Sequence, residues 1–478
     1  MSTLFANQPA DDGLPGAQRR LVMIATMTAT AMAVLDGTIV NVALPSIARA
    51  LDVSAAATIW VANGYLLAAA MTLMSFAALA SRVGFRALFV AGVAVFSLAS
   101  LGCALSTSLD MLIAMRVLQG IGGAATLSIG PAIYRTTFPT RLLGRILGFN
   151  ALLVAASTAI GPTLGGTLLS VFGWEWLFAI NVPLGIIGVT LGLRAIPQTR
   201  TPTREAFDIA GAGLSAVTMG AVIMAADACA QLGSDTQAAV TVGAWSLLGL
   251  AAGACFIWRQ RTARLPLLPL DIFRSPRFTL AAVTSLAAFV SQGITIIALP
   301  FLFQNAYGYS VFTAALLFTA WPIGIVLAAP QAGRLADRYP PALLSTAGLG
   351  LFTLGLVLLA LLPEHAAALD ICWRELLCGI GFGFFQSPNN REMLANVSRE
   401  RSGSASGVLA IVRTFGQCLG AAVVGVILAI YAAHSLDSPA GVMSAAQDAQ
   451  AMHLAIGVAA LAAALAGAAS FSRIRQRS

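Results

Sequence analysis

The sequence predicts an all-α polytopic membrane protein of about fourteen transmembrane helices. Three observations predict it. Of 478 residues, 58% are hydrophobic and only 10% are charged, against roughly a quarter charged in soluble domains. Apolar stretches near or above the roughly 20 residues of a bilayer-spanning helix recur from Leu21 to Phe471. The connections between them are too short to hold a soluble domain of ordinary size.

Each element follows from its own run. The first, 21–48, comes after Asp11, Asp12, Arg19 and Arg20. It is longer than a signal-peptide core and lacks a small-residue cleavage site, so it is expected to stay as the first membrane helix. The runs 58–80 and 87–106 flank a short basic turn at Arg82 and Arg86. The next, 109–134, carries Arg116, and 145–170 follows Arg141 and Arg145 and carries Pro162. The run 175–195 completes a first group of six. Two further runs, 208–230 and 237–258, precede the longest connection, Arg259 to Pro276. Its three prolines and its charged residues Arg259, Arg261, Arg264, Asp271 and Arg274 mark it as a hinge. The runs 278–303, 311–332, 342–362, 366–388, 403–430 and 451–471 form the last six. Expected units are therefore 1–206, 207–260 and 261–478.

The net charge of +8 might suggest nucleic acid, but the positions of the charges point to topology instead. All 27 basic residues are arginine. Placing the helices puts Arg19, Arg20, Arg82, Arg86, Arg135, Arg141, Arg145, Arg194, Arg200 and Arg204 on one side. Arg259, Arg261, Arg264, Arg274, Arg277, Arg334, Arg338, Arg391, Arg399, Arg401, Arg473, Arg475 and Arg477 join them. Only Arg49 sits opposite, while Arg116, Arg374 and Arg413 lie within helices. By the positive-inside rule the arginine side and both termini are expected to be cytoplasmic.

Six cysteines (Cys103, Cys229, Cys255, Cys372, Cys378, Cys418) all fall in apolar stretches with no CxxC pair and no histidine at ligand spacing. They read as packing residues, and no metal is expected. The chain has no lysine and no GxxxxGK[ST] loop, so ATP is not the direct driver and no cofactor is expected.

An internal repeat relates the two groups of six. Ala77-Ala78-Leu79-Ala80-Ser81-Arg82-Val83-Gly84-Phe85-Arg86 corresponds to Gly333-Arg334-Leu335-Ala336-Asp337-Arg338-Tyr339. Arg116 precedes Gly120, Gly122 and Gly123, as Arg374 precedes Gly379, Gly381 and Gly383, which aligns the two arginines. Repeated halves rocking about a shared central site are how secondary transporters alternate access.

Four local motifs stand out. The first helix holds Leu35-Asp36-Gly37-Thr38-Ile39-Val40-Asn41-Val42-Ala43-Leu44-Pro45. The fourth holds Arg116-Val117-Leu118-Gln119-Gly120-Ile121-Gly122-Gly123. The fifth holds Ser157-Thr158-Ala159-Ile160-Gly161-Pro162-Thr163-Leu164-Gly165-Gly166. The paired loops around Arg82, Gly84, Arg86 and Gly333, Asp337, Arg338 are the fourth. Together they resemble the major facilitator superfamily, specifically its fourteen-helix drug:proton antiporters.

An aspartate at membrane depth costs about 2.5–3.5 kcal/mol on insertion scales, so Asp36 must face water, be paired or be protonated. The resemblance implies that Asp36 is a proton-coupling carboxylate assisted by Arg116; the plain alternative is a packing aspartate bonded to a neighbour such as Thr38 or Asn41. For Arg116 a fixed interhelical clamp is the equal alternative. The resemblance makes Gly161, Pro162, Gly165 and Gly166 an exporter motif, in which small residues also permit close helix approach. In the family the loop motifs latch the halves. Here the first copy has Ala77 and Ser81 where glycine and aspartate are usual, which makes Asp337 the better latch candidate.

Asp227, Arg374, Glu375 and Arg413 are secondary intramembrane candidates, and Arg374 and Glu375, adjacent on a helix, need not pair. His365, His434 and His453 fall near outer ends, which argues against a histidine relay. Trp60, Tyr65, Trp321 and Phe385 could line a cavity, although interfacial belts and lipid-facing packing are commoner uses. The expected function is proton-driven export of small hydrophobic or amphiphilic molecules across the cytoplasmic membrane, with multidrug efflux set against a dedicated exporter of a metabolite, siderophore or antibiotic. No enzymatic constellation is present. The expected partners are a small-molecule substrate, protons and lipid, with no nucleic acid, and the protein is expected to be a monomer.

Overall fold

The computed structural model describes residues 5, 12–198, 207–231, 236–363, 366–398, 401–433 and 443–475. Asp11, Arg200, Arg204, His365, Arg399, His434 and Arg477 lie outside the described residues. The described chain is helical throughout: α1 (Gly16–Ala50), α2 (Ala55–Val83), α3 (Phe85–Ala104), α4 (Leu109–Thr137), α5 (Leu143–Val171), α6 (Glu175–Ala179), α7 (Asn181–Ala195), α8 (Ile209–Ala228), α9 (Thr236–Thr262), α10 (Pro276–Phe301), α11 (Val311–Phe318), α12 (Ala320–Leu335), α13 (Pro341–Ala360), α14 (Ala368–Ala395), α15 (Ser402–Ala433) and α16 (Ala445–Arg475).

Among the described residues thirteen crossings are long and apolar enough to span a membrane, with α6–α7 and α11–α12 each making one. The fourteenth, α14, is as long but carries Asp370, Arg374, Glu375, Arg391 and Glu392. The sequence reading treats the sixth and tenth crossings as single helices, whereas each is broken. Pro183 and Pro322 both stand third in the helix that restarts. A proline there donates no amide and crowds the carbonyl four residues back, so the preceding turn ends early. Side-chain caps set other starts: Ser54, Ser108, Asp208, Ser275 and Ser310 each accept from an amide three residues on, satisfying a donor that the helix leaves free. At Gly84, φ of 91° lets a single residue link α2 to α3.

Helices α1–α7 form one half and α10–α16 the other. Between them in sequence, α8 lies on the seam where α2 meets α15, packing Ile223 and Met219 against Leu67, Cys418 and Ala422. Helix α9 packs on α8 and leaves most of its surface outward, including Cys255. Three cysteines, Cys103, Cys378 and Cys418, are buried as packing residues; Cys229 and Cys372 are half-buried.

The core is distributed unevenly along the membrane normal. At the end far from the termini, one continuous apolar cluster joins both halves, running from Ile39, Val42 and Ile47 to Ile297, Phe301 and Ala315. Gln304 ties that end by donating to the Val42 carbonyl at 2.8 Å, and Thr163 bonds Thr319 at 2.8 Å. Near the termini the halves keep separate clusters, around Val22 and Ile133 in one and Phe278 and Met393 in the other. The halves are thus fused at the far end in this conformation.

Glycines set how closely helices approach, and they correct the repeat alignment. A side chain at Gly120 would strike the Tyr65 carbonyl of α2, and one at Gly379 the Trp321 carbonyl of α12. A side chain at Gly122 would strike the Phe96 amide of α3, and one at Gly381 the Phe352 amide of α13. Counting back four residues from Gly120 and Gly379 reaches Arg116 and Glu375. The counterpart of Arg116 is therefore Glu375, not Arg374. The sequence match aligned like residue types, whereas packing requires equal spacing to the glycines.

Candidate functional site

Asp36 sits midway along α1 with its side chain fully buried. Two helices supply its partners. Arg116 of α4 donates from Nη1 to Oδ2 at 2.5 Å, Gln119 of α4 donates from Nε2 to Oδ1 at 2.7 Å, and Asn181, the first residue of α7, donates from Nδ2 to Oδ1 at 2.9 Å. Thr38 and Asn41, the neighbours proposed as partners from sequence, instead bond carbonyls of their own helix. Arg116 is held in turn by the Val61 carbonyl at 2.9 Å and by Gln119 Oε1 at 2.5 Å. Its guanidinium lies 4.5 Å from the Tyr65 ring centroid and 5.6 Å from that of Phe178. Gln119 also donates to Ser100 of α3 at 2.8 Å.

The arrangement is a closed ion pair with every carboxylate oxygen accepting. Two charges at this depth are tolerable only because each is paired and hydrogen-bonded; removing one partner of such a buried pair costs about 3–5 kcal/mol. Gln119 was within the quoted α4 motif, one turn from Arg116, but its role was not legible there. Asn181 carried no signal in the sequence, since its place depends on the α6–α7 break.

At the equivalent place in the second half, Glu375 is completely buried. Neither of its oxygens makes a hydrogen bond, and nearby Trp321 Nε1 also lacks a partner. The Trp321 backbone amide, at the start of α12, approaches the carboxyl without reaching hydrogen-bond geometry. Arg374 turns away and pairs with Asp370 at 2.8 Å, one turn earlier. It also donates to the Leu358 carbonyl. Asp227, near the end of α8, accepts from Trp60 Nε1 at 3.1 Å, tying the extra helices to α2. Tyr65, Trp321 and Phe385 are core residues and form neither a belt nor a cavity wall.

Arg413 of α15 differs from all of these. Its side chain is solvent-accessible although it stands well inside a membrane-spanning helix.

The α5 motif packs at the joint between the halves. A side chain at Gly161 would meet Thr38, one at Gly165 would meet Ile39, and one at Gly166 would meet Ala315 of α11. Pro162 is buried within the same face of a continuous helix. Of the loop motifs, Asp337 pairs with Arg391 of α14 at 2.5 Å, which lies within the second half and does not bridge the two. Arg82 lies 5.2 Å from the Phe207 ring centroid, at the entry to α8. Arg86 and Arg338 enter no ion pair among the described residues, and Gly333 lies near Ser387.

Two polar clusters escaped the sequence reading. Arg473, placed from sequence beyond the last apolar run, is buried in α16 and donates to Asn389 at 2.8 Å and Glu392 at 2.9 Å. Asp208 caps α8 and accepts from Gly211 at 3.0 Å, Arg259 at 2.9 Å and Gln260 at 3.2 Å, closing the α8–α9 hairpin. Burial opposes its charge, but these donors outweigh it and hold the Asp208 carboxyl below the usual carboxylate range.

A sequence model of the Major Facilitator Superfamily matches residues 26–421. The chain is 43% identical over 418 residues to the uncharacterized transporter YebQ of Escherichia coli K12, covering 87% of this chain and 91% of that one. It is 32% identical to the multidrug resistance protein Stp of Mycobacterium tuberculosis (87% and 77% covered). It is 30% identical to the riboflavin transporter RibZ of Clostridioides difficile (85% and 87% covered). In fold it is similar to the crystal structure of a bacterial homolog of the human lysosomal transporter Spinster in an inward-facing, unoccupied conformation, with a TM-score of 0.69, 18% identity and 98% of each chain covered.

Proposed function

The chain belongs to the major facilitator superfamily and is a multi-pass membrane transporter of small molecules, and from that premise we propose that it is a proton-coupled exporter of drugs or other amphiphilic molecules. The observation that carries the proposal is the Asp36–Arg116 pair at the centre of the first half. Arginine keeps its charge at any working pH, so the pair changes state only when Asp36 gains a proton or the helices separate it. In the present conformation both oxygens are occupied and the carboxylate is closed to water. Proton uptake by Asp36 belongs to the opposite conformation, in which the far end parts; protonation removes the attraction to Arg116 and couples the proton to the rocking of the halves.

Export direction is supported by the α5 glycines and Pro162, which seat α5 against both α1 and α11, and by the relatives named for drug resistance. The arginine-rich face is assigned to the cytoplasm, placing both termini there in a cytoplasmic membrane. One chain contains both halves, so a monomer suffices. A dedicated exporter of one metabolite is the second reading, favoured by the relative named as a riboflavin transporter.

The test is efflux of a cationic dye, ethidium, and of an anionic dye, fluorescein, from vesicles with and without a protonophore. Asp36→Asn is expected to abolish the proton-linked component with expression unchanged. Undiminished proton-linked efflux in that variant removes Asp36 from coupling.

A further inference from the structure

We infer that Arg413 is an anion-recognition residue in the substrate path, so that preferred substrates carry a carboxylate, sulfonate or similar negative group. The inference rests on the transporter reading in taking the interior space as that path. It begins from the charges at membrane depth. Asp36 is neutralised by Arg116, Arg374 by Asp370 and Arg473 by Glu392. Asp227 accepts from Trp60, and Glu375 is sealed away from any accessible space. Arg413 is left: it forms no ion pair among the described residues, and it is open to solvent.

Its position on α15 makes the accessible space interior. Arg413 stands eleven residues after Ser402, roughly 17 Å along the axis and well inside the membrane. On one side of it Gly416 and Gly420 pack against Phe289 and Val290 of α10. On the other, Ile411 and Phe415 pack toward α2 and α8. Arg413 shares one face of α15 with Gly416, Gln417 and Gly420, the face turned to α10, where Gln417 donates to Gln292 at 3.0 Å.

A guanidinium that cannot lose its proton, placed among low-dielectric walls without a countercharge, concentrates anions there. Its planar fork fits a carboxylate or sulfonate with two parallel bonds. The carboxylates at this depth do not compete for a cationic substrate, because Asp36 is closed and paired and Glu375 is inaccessible. The burial pattern thus leaves an arginine, and not an acid, as the charge open to cargo.

Two dyes with one xanthene scaffold and opposite charge provide the test: fluorescein and rhodamine 123, titrated into the purified full-length protein and read by fluorescence anisotropy. Wild type is expected to bind fluorescein about tenfold or more tightly than rhodamine 123. Arg413→Gln should weaken fluorescein about tenfold while leaving rhodamine 123 within about twofold, and Arg413→Lys should keep most of the fluorescein affinity. Binding of neither dye, equal binding, a preference for rhodamine 123, or fluorescein binding indifferent to Arg413→Gln overturns the inference. Because binding is read without a gradient, proton-linked efflux with charge-indifferent binding would sink this inference alone. Arg413-dependent binding without proton-linked efflux would sink only the exporter reading.

Discussion

Arg116 and Glu375 occupy the same place in the two halves of the fold, each four residues before a glycine that touches the second helix of its half. One half fills the place with a cation and supplies Asp36 against it. The other fills it with a carboxyl and supplies no partner: Ser291, which matches Asp36 when Ala43-Leu44-Pro45 is laid on Ala298-Leu299-Pro300, donates instead to the Ala459 carbonyl at 2.7 Å. The repeat has kept the helix packing and inverted the charge.

A carboxylate with no donor at zero exposure is far costlier than the neutral acid, and the expected outcome is that Glu375 keeps its proton. Glu375→Gln, which copies the shape of the neutral acid, is expected to cost less than about 1 kcal/mol of stability, whereas Glu375→Lys should cost several kcal/mol. Infrared spectra of the purified protein check the protonation directly. The carboxylic acid carbonyl band should disappear in Glu375→Gln and persist in Asp36→Asn; a band unaffected by Glu375→Gln would show the side chain ionised.

For the Asp36–Arg116 pair the cost should be strongly non-additive. Arg116→Met leaves a buried carboxylate without its countercharge and is expected to lose about 3–5 kcal/mol. Adding Asp36→Leu removes that charge, and the double variant should recover most of the loss. Thermal denaturation midpoints of the four proteins in one detergent complete the cycle. If the double variant falls by the sum of the singles, the two side chains do not act as a pair.

The helical membrane fold and its number of spans were legible because apolar runs of spanning length report directly on a bilayer, whereas the packing of the far end was not. Asp36 and Arg116 stood out because charge is rare at that depth. Their closure was not legible, since it depends on Asn181 reaching Asp36 from a helix that restarts at the Pro183 break, and on Gln119 turning between α3 and α1. The identity of Glu375 as the mate of Arg116 was hidden behind the adjacent Arg374, which offered a like-for-like match one residue out of register. Arg413 was visible as a charge, but whether it faced lipid, protein or water was set by helix rotation. Pairing of Arg473 with Glu392 depended on α16 running further than its apolar run.

Asp208 predicts a pH dependence confined to acid. Its carboxyl is more acidic in the folded protein than in the unfolded chain, so its contribution is complete above the unfolded value, near pH 4, and fades as pH falls through the lower folded value. At neutral pH Asp208→Ala should lower stability by about 1–3 kcal/mol, as expected for lost hydrogen bonds to charged groups and a lost helix cap. The gap between the variant and wild type should narrow as pH falls below that range. A gap that is unchanged in acid would mean the hairpin is held by α8–α9 packing and not by this carboxylate. Hydrogen exchange of the α8 amino-terminal turn, measured at neutral and acidic pH, localises the effect to the hairpin.

Gly37 and Gly379 separate glycines needed for packing from those that are not. A side chain at Gly37 meets nothing within 4 Å, although its neighbour Asp36 is fully enclosed. Gly37→Ala is therefore expected to be neutral or stabilising by up to about 1 kcal/mol through helix propensity. At Gly379 an added methyl runs into the Trp321 carbonyl and the Gly324 backbone, and backbone cannot swing aside as a flexible side chain can. Gly379→Ala should cost about 1–3 kcal/mol, and because it forces α14 away from α12 it should also expose Glu375 and Cys378 to water. Cysteine labelling provides the second readout: Cys378 is buried in the wild type and should become reactive in Gly379→Ala but not in Gly37→Ala. Equal labelling in the two variants would show that the α12–α14 contact does not depend on this glycine.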